Sequence, residues 1–420
     1  MHRSLAFRTA LARRVLVAAG VLGSVAVGCG DDSVAGGGGS GGNNAGGDNQ
    51  GGNNSGGDNA GGQNTGGDAS GGAPEGGAGH GGAVQGGAGQ GGEGGGVQEG
   101  VQRCFAAGIE GCLPIEEAEI NYPCTNDLEL VLDWISGPTE VGKECCYQVE
   151  VSAPGDPGCA VIGRPLLVDD VPQRALVSAA RSSGAGARAW GVATTAQPDV
   201  SGLSASARAE LARAWADDAA YEHASIASFS KFSLELISFG APAHLVAAAH
   251  EAAIDEIRHA SLGFALASAY AGQPLAPGRL EAAANITCAR DLESLVASVV
   301  REGCVGETLA ALVAGAQSAV AADSAVRQAL LSIAEDETRH AELAWRTVVW
   351  AVEIGGDRVK AAARAAFDIA IAAVEAATPA SERAHHAHGR LSGAEAQEER
   401  LRGLRDVVRP AANALLGERP

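Results

Sequence analysis

The sequence predicts an all-α protein: a four-helix bundle with additional C-terminal helices, preceded by a disordered Gly-rich tether and a small disulfide-rich region. Three observations carry that expectation. Aromatic residues are only 4% of the 420 residues and Met occurs once, while Ala dominates the second half, a composition poor for a β-sandwich and good for long helices. Helix start and stop signals recur after Pro198. A pentapeptide rich in charge is also repeated at matching places in two of the predicted helices. The formal net charge of −20 and a pI near 4.9 exclude phosphate-backbone recognition, because a nucleic-acid partner requires a positive footprint.

Residues 1–28 read as a signal peptide. Arg3, Arg8, Arg13 and Arg14 precede an apolar run from Val15 to Val27, too short to span a bilayer but right for a signal-peptide core. The run ends in Ala26-Val27-Gly28-Cys29, which resembles a bacterial lipobox and makes Cys29 the candidate lipidation site. Ala26 stands where a lipobox usually carries Leu, so ordinary signal-peptidase cleavage to a periplasmic or secreted protein is the alternative. Residues 29–100 form the tether, built on Gly-Gly followed by three mostly polar residues. Such a chain cannot repay the entropy of ordering, and as a Gly-rich coil it reaches about 45 Å. Residues 101–170 hold six of the nine cysteines, Cys104, Cys112, Cys124, Cys145, Cys146 and Cys159. An even count in an exported segment reads as a disulfide framework whose connectivity the sequence leaves open, with Cys145 and Cys146 taking different partners. Short apolar stretches at Cys146–Val151 and Ala160–Ile162 allow a strand or two. Residues 171–200 are expected to be a linker.

The helical domain spans residues 201–378, with a C-terminal extension over 379–420. Ser204 caps a first helix that Gly240 stops; Pro242 opens a second, ending before Gly272. A third covers about 289–318. A fourth starts at Asp323 or Ser324 and ends at Gly355-Gly356, and two more cover about 357–377 and 393–417. A short hairpin, a long crossover and a second short hairpin is one connectivity of four-helix bundles.

The repeated pentapeptide is Asp255-Glu256-Ile257-Arg258-His259 and Asp336-Glu337-Thr338-Arg339-His340. Glu and His three apart lie about 60° and 4.5 Å from each other on a helix, so both can converge on one ion. Two copies in two helical hairpins point to a dinuclear site, which takes one further carboxylate from each remaining helix. Glu222 lies level with Glu256 in the first hairpin. In the second, Glu302 matches it in spacing and shares a face with Leu295, Val299, Val305 and Leu309, whereas Glu307 lies about 140° away on a regular helix. Glu302 is therefore the preferred ligand. Glu307 is the alternate, reached if Gly303 and Gly306 permit a π-bulge.

These residues resemble the ferritin-like di-iron carboxylate superfamily over about 204–354. The resemblance implies Glu222, Glu256 and His259 on one metal and Glu302, Glu337 and His340 on the other, with Asp255 and Asp336 orienting the histidines; which Asp meets which His is open. It implies two Fe ions, with Mn as the alternative, and O2 or peroxide as the small-molecule substrate.

The remaining candidates have structural readings. His223 points about 100° away from Glu222, His244 and His250 are expected at the surface, and His385, His386 and His388 lie outside the bundle. Trp215, Phe229, Phe232, Trp345 and Trp350 are expected in the core, and Cys288 and Cys304 are too far apart on one helix to pair. Three functions follow: an O2- or peroxide-dependent oxidoreductase or ferroxidase, a non-catalytic metal-binding or sequestration module, and a di-manganese peroxide-dismutating protein. The membrane partner is reached through the lipid anchor, and the electron donor is left unassigned.

Overall fold

The computed structural model describes residues 2–19, 98–106, 112–115, 118, 131–142, 144–151, 164–168, 171–179, 190, 197–280, 286–379 and 383–417. Cys29, the tether up to residue 97, Cys124, Cys159 and the 160–162 stretch lie outside them, while the last three tether residues begin the first strand. The described chain is mostly helical, with a few small sheets. Among the described residues no helix is long and apolar enough to cross a membrane.

Two long hairpins dominate. The first pairs α2 (Ala205–Ser238) with α3 (Ala243–Ala271). Ser204 caps α2 by accepting the Ala207 N–H at 3.1 Å, and Gly272 ends α3 with φ 70°, a left-handed conformation that glycine adopts without penalty. The second hairpin begins with α4 (Leu292–Ser298), capped by Asp291 with Ser294 in a reciprocal box. The helix then widens into a π-helical stretch (Val299–Glu307) and tightens again as α5 (Thr308–Val320). Its partner is α6 (Ser324–Ala376), capped by Asp323 and bent where Gly356 takes φ 65°, ψ −150°. This is the expected break at Gly355-Gly356, present as a bend inside one long element. Ser392 caps α7 (Gly393–Gly403), which runs through a second π stretch (Leu404–Val408) into α8 (Arg409–Leu416).

Packing divides the apolar interior in two. One core joins Phe229, Phe232 and Leu245 to Val299, Leu309, Trp345 and Phe367. The other joins Leu211, Trp215, Ala260, Phe264, Val326 and Leu330. On α2, α3 and α6 the candidate ligands fall between the two. The first hairpin closes tightly because Gly263 faces Ala219, where an added Cβ would come within 2.8 Å of the Ala219 Cβ.

The cysteine-rich segment is an antiparallel sheet in the order β1-β3-β2, formed by β1 (Gln98–Ala106), β2 (Val131–Val141) and β3 (Glu144–Val151). Cys145, Tyr147, Val149 and Val151 alternate along β3 into one small core with Phe105 and Trp134, as the two-residue period of a strand requires. Cys146 bonds to Cys104 directly across the ladder, and Cys145 bonds to Cys112. Neighbours on a strand face opposite ways, which is why adjacent cysteines take different partners. Cys288 and Cys304 are both free thiols.

Two parts of the chain depart from expectation. The segment read as a linker opens with β5 (Val171–Gln173), which forms a short hairpin with β4 (Leu166–Val168) from the end of the cysteine-rich region. It then supplies β6 (Val177–Ala179), which pairs with β7 (Leu275–Pro277) in the long crossover. Residues read as part of a signal peptide form α1 (His2–Ala18), whose Leu11 and Val15 are buried in the larger core. Phe7 packs on Gly315, and Arg8 pairs with Glu399 at 3.2 Å.

Gly263→Ala is expected to destabilise the metal-free protein by about 1–3 kcal/mol, the usual cost of overpacking. Gly202→Ala, where an added Cβ meets nothing within 4 Å, is expected to leave stability unchanged. Urea unfolding followed by helical circular dichroism compares the two.

Candidate metal centre

Each pentapeptide sits in mid-helix, so a Glu and a His one turn on project from the same face into the space between the hairpins. Glu256 and His259 come from α3, Glu337 and His340 from α6, and all four are buried. The His259 Nδ1 lies 3.7 Å from Glu256, 3.8 Å from Glu222 and 3.4 Å from Glu337. The His340 Nδ1 lies 3.2 Å from Glu256 and 3.6 Å from Glu337. Glu256 and Glu337 thus each face both histidines. Two groups have ligand atoms within 4.8 Å of one another: Glu222, Glu256, His259 and Glu337, and then Glu307, Glu337 and His340.

Glu302 is in neither group. The π-helical stretch adds a residue to the turn between Glu302 and Glu307. That rotates Glu307 onto the inner face, while Glu302 turns toward Arg164 at 3.8 Å and Arg301 at 3.3 Å. The preferred choice of Glu302 therefore yields to the alternate, Glu307, because the preference assumed 3.6 residues per turn. Gly303 lets this widened turn approach α6; a Cβ there would fall 2.3 Å from the Ala344 Cβ.

Around the box, the aspartates pair crosswise. Asp336 meets the His259 Nε2 at 3.0 Å and Asp255 meets the His340 Nε2 at 3.3 Å, so each motif orients the histidine of the other. Arg258 and Arg339 each contact both aspartates: Arg258 reaches Asp336 at 3.3 Å and Arg339 reaches Asp255 at 2.8 Å, and each also pairs with the aspartate of its own motif. Burial works against the Asp255 charge, but His340, Arg258 and Arg339 outweigh it and hold the carboxyl at about 2. Asp336 is likewise lowered, against burial, by His259 and Arg339. An Nε2–H donated to a carboxylate leaves the Nδ1 lone pair available to an ion.

The atoms turned inward are the ones without partners. Glu256 Oε2, His259 Nδ1, Glu307 Oε1, Glu337 Oε2 and His340 Nδ1 are buried with no hydrogen bond. Each such atom costs about 1–3 kcal/mol if left unsatisfied, and five around one space fit a cation-binding site. With no ion, burial and the neighbouring Glu256 push the Glu222 carboxyl well up, and burial and Glu337 do the same to Glu307. The histidines are driven above their usual range because their carboxylate partners outweigh burial. A metal held there would compete with protons for these groups.

The other candidates are occupied elsewhere. The His223 ring lies 5.0 Å from Trp190, and burial lowers its pKa. His244 and His250 are exposed, the latter bonded to Ser233 at 2.8 Å. His385 meets Glu210 and His386 meets Glu395, while the His388 Nδ1 and the Tyr270 hydroxyl share a hydrogen bond of 2.8 Å. The three histidines brace a turn and do not converge. Trp215, Phe229, Phe232 and Trp345 are core residues and Trp350 is partly buried. Sequence reasoning missed Arg164, which lies more than a hundred residues before the π stretch and carries no motif.

Glu307→Ala is expected to lower the metal content of the purified protein more than Glu302→Ala. Asp255→Asn and Asp336→Asn are each expected to weaken metal affinity about 10–100-fold by releasing a histidine ring. Metal analysis and competitive chelator titration read both effects. Compared with protein-family models, curated proteins and solved structures, the chain has no match.

Proposed function

We propose that the protein is an envelope-anchored, ferritin-like di-iron carboxylate protein that reacts with O2 or peroxide, as an oxidoreductase or ferroxidase. The single observation that carries this reading is the pair of Glu and His ligand groups sharing Glu337, with the inward nitrogens and oxygens of both lacking partners. Two hairpins joined by a crossover, with one Asp-Glu-x-Arg-His in the second helix of each, support the ferritin-like assignment.

Charge supports the count of two ions. Glu222, Glu256, Glu307 and Glu337 meet inside the box, where the one buried arginine near them among the described residues, Arg164, is shared by Glu307 and Glu302 and is balanced by the latter, whereas Asp255 and Asp336 are matched by Arg258 and Arg339. Four carboxylates with neutral histidines are balanced by two divalent ions, and burial makes that balance matter. Ligands made only of imidazole and carboxylate suit iron and accept manganese. Bound there, iron would supply the electrons that reduce O2 or peroxide. This chain's own residues would hold the pair: Glu222, Glu256, His259 and Glu337 in one group, and Glu307, Glu337 and His340 in the other. Glu222 keeps 25% of its side chain exposed, which makes its end the approach for a small oxidant.

Anchoring rests on the Cys29 signal. Cleavage before it would remove α1 and uncover the apolar face that Leu11 and Val15 fill. Cys29→Ser is expected to move the protein from the membrane to the soluble fraction; wild-type protein found wholly in the soluble fraction would mean ordinary signal-peptidase cleavage and a protein free in the periplasm or outside the cell.

The full-length protein is expected to bind about two metal ions, and His259→Ala with His340→Ala to bind none; unchanged stoichiometry in that double variant would sink the assignment. Affinity is expected to fall as pH falls, since metal and protons compete for the raised histidines and for Glu222 and Glu307. Oxygen consumption by the anaerobically reduced, iron-loaded protein tests the chemistry. Full metal binding without oxygen consumption would make the protein a sequestration module.

A further inference from the structure

We propose that Arg164 is a positioning residue of this centre: a buried positive charge that holds Glu302 outside the ligand set and sets the charge felt at Glu307, biasing the site toward divalent ions. The inference rests on the metal-centre reading above.

Arg164 comes from the segment after the disulfide-linked sheet, just before β4, and is 5% exposed. Its backbone is fixed on α2, where the Ser225 hydroxyl donates to the Arg164 carbonyl at 2.9 Å, one helical turn beyond Glu222. The guanidinium lies over the rings of Phe229, at 4.8 Å, and Phe232, at 4.3 Å. Two aromatic faces on α2 thus orient a planar cation toward the π stretch. There its Nη1 is 3.8 Å from Glu302 and its Nε is 3.8 Å from Glu307. Neither Nε nor the Glu307 Oε1 that it faces has a hydrogen-bond partner. The cation therefore acts on Glu307 through its charge and leaves that oxygen available.

Glu302 has a second cation, Arg301, whose side chain is about half exposed, at 48%. Water screens that charge, whereas Arg164, enclosed between α2 and the π stretch, is screened little. The two members of the inner pair then act on the centre with opposite signs. Removing the Arg164 charge makes the surroundings more negative, which tightens cation binding and favours a trivalent over a divalent ion. Removing the Glu302 charge makes them more positive and does the reverse. A purely structural ion pair behaves differently, since losing either partner disturbs the same packing in the same direction.

The test uses full-length Arg164→Met, Glu302→Gln and the double variant, with Mn2+ titration and the reduction potential of the iron-loaded protein as readouts. Arg164→Met is expected to bind Mn2+ more tightly and to lower the potential, Glu302→Gln to bind Mn2+ more weakly and to raise it, and the double variant to return near wild type. Shifts of the same sign in both single variants, or no shift in either, overturn the role of Arg164. If Arg164→Met does not fold, Arg164→Lys keeps the charge and is expected to hold the wild-type potential, and Glu302→Gln alone still carries the predicted sign. Wild-type protein that binds no metal overturns the centre itself, an outcome distinct from two bound ions with variants that shift alike.

Discussion

The structure depends on one constraint: four carboxylates and two imidazoles are gathered in the interior of a helical body, where unpaired charge is costly. Everything near them answers that cost. The inner atoms of each group lie within 4.8 Å of one another, and the outer nitrogens of both histidines are tied to aspartates. Those aspartates are in turn held by Arg258 and Arg339 at the half-exposed rim. The crossed pairing of Asp336 with His259 and Asp255 with His340 locks the two hairpins together through the polar network itself. Apolar cores on either side then exclude water from it.

Accommodating that box in the third helix requires a departure from regular geometry. A π turn costs hydrogen-bond quality, and it recurs at functional positions because it re-aims one side chain without breaking the helix. Here it aims Glu307 inward and frees Glu302 for a different partner. The glycine at 303 is part of the same solution, since the widened turn presses against Ala344 with no room for a side chain. Val299, Val305 and Leu309 remain buried through the irregularity, so the apolar face is continuous even though the polar one is shifted.

The helical body is not closed by its long helices alone. Arg164 enters it from the segment that follows the disulfide-linked sheet, and β6 adds a strand to the crossover. On another face, α1 fills an apolar surface of α5, α6 and the C-terminal helices with Phe7, Leu11 and Val15. Chain segments far apart in sequence thus complete both the surroundings of the Glu and His cluster and the core.

Local physics was legible in the residues themselves. Ser204, Asp323, Gly272 and Gly356 mark helix ends or bends because capping and left-handed backbone are decided within a turn of the chain; the cap of Asp291 with Ser294, which starts the third helix at Leu292 and not at about 289, was missed. The duplicated Asp-Glu-x-Arg-His was equally legible, since three-residue spacing fixes a shared face on a regular helix. What the tertiary structure alone decided are the relations that no local spacing encodes. These include which aspartate meets which histidine, which of Glu302 and Glu307 joins the ligand groups, and that Arg164 lies between α2 and the π stretch. A helical period predicts direction only while the helix keeps that period. Across Val299–Glu307 it does not, because the packing of Gly303 on Ala344 and the opposed charges of Arg164, Glu302 and Glu307 act between elements that meet only once the chain has folded.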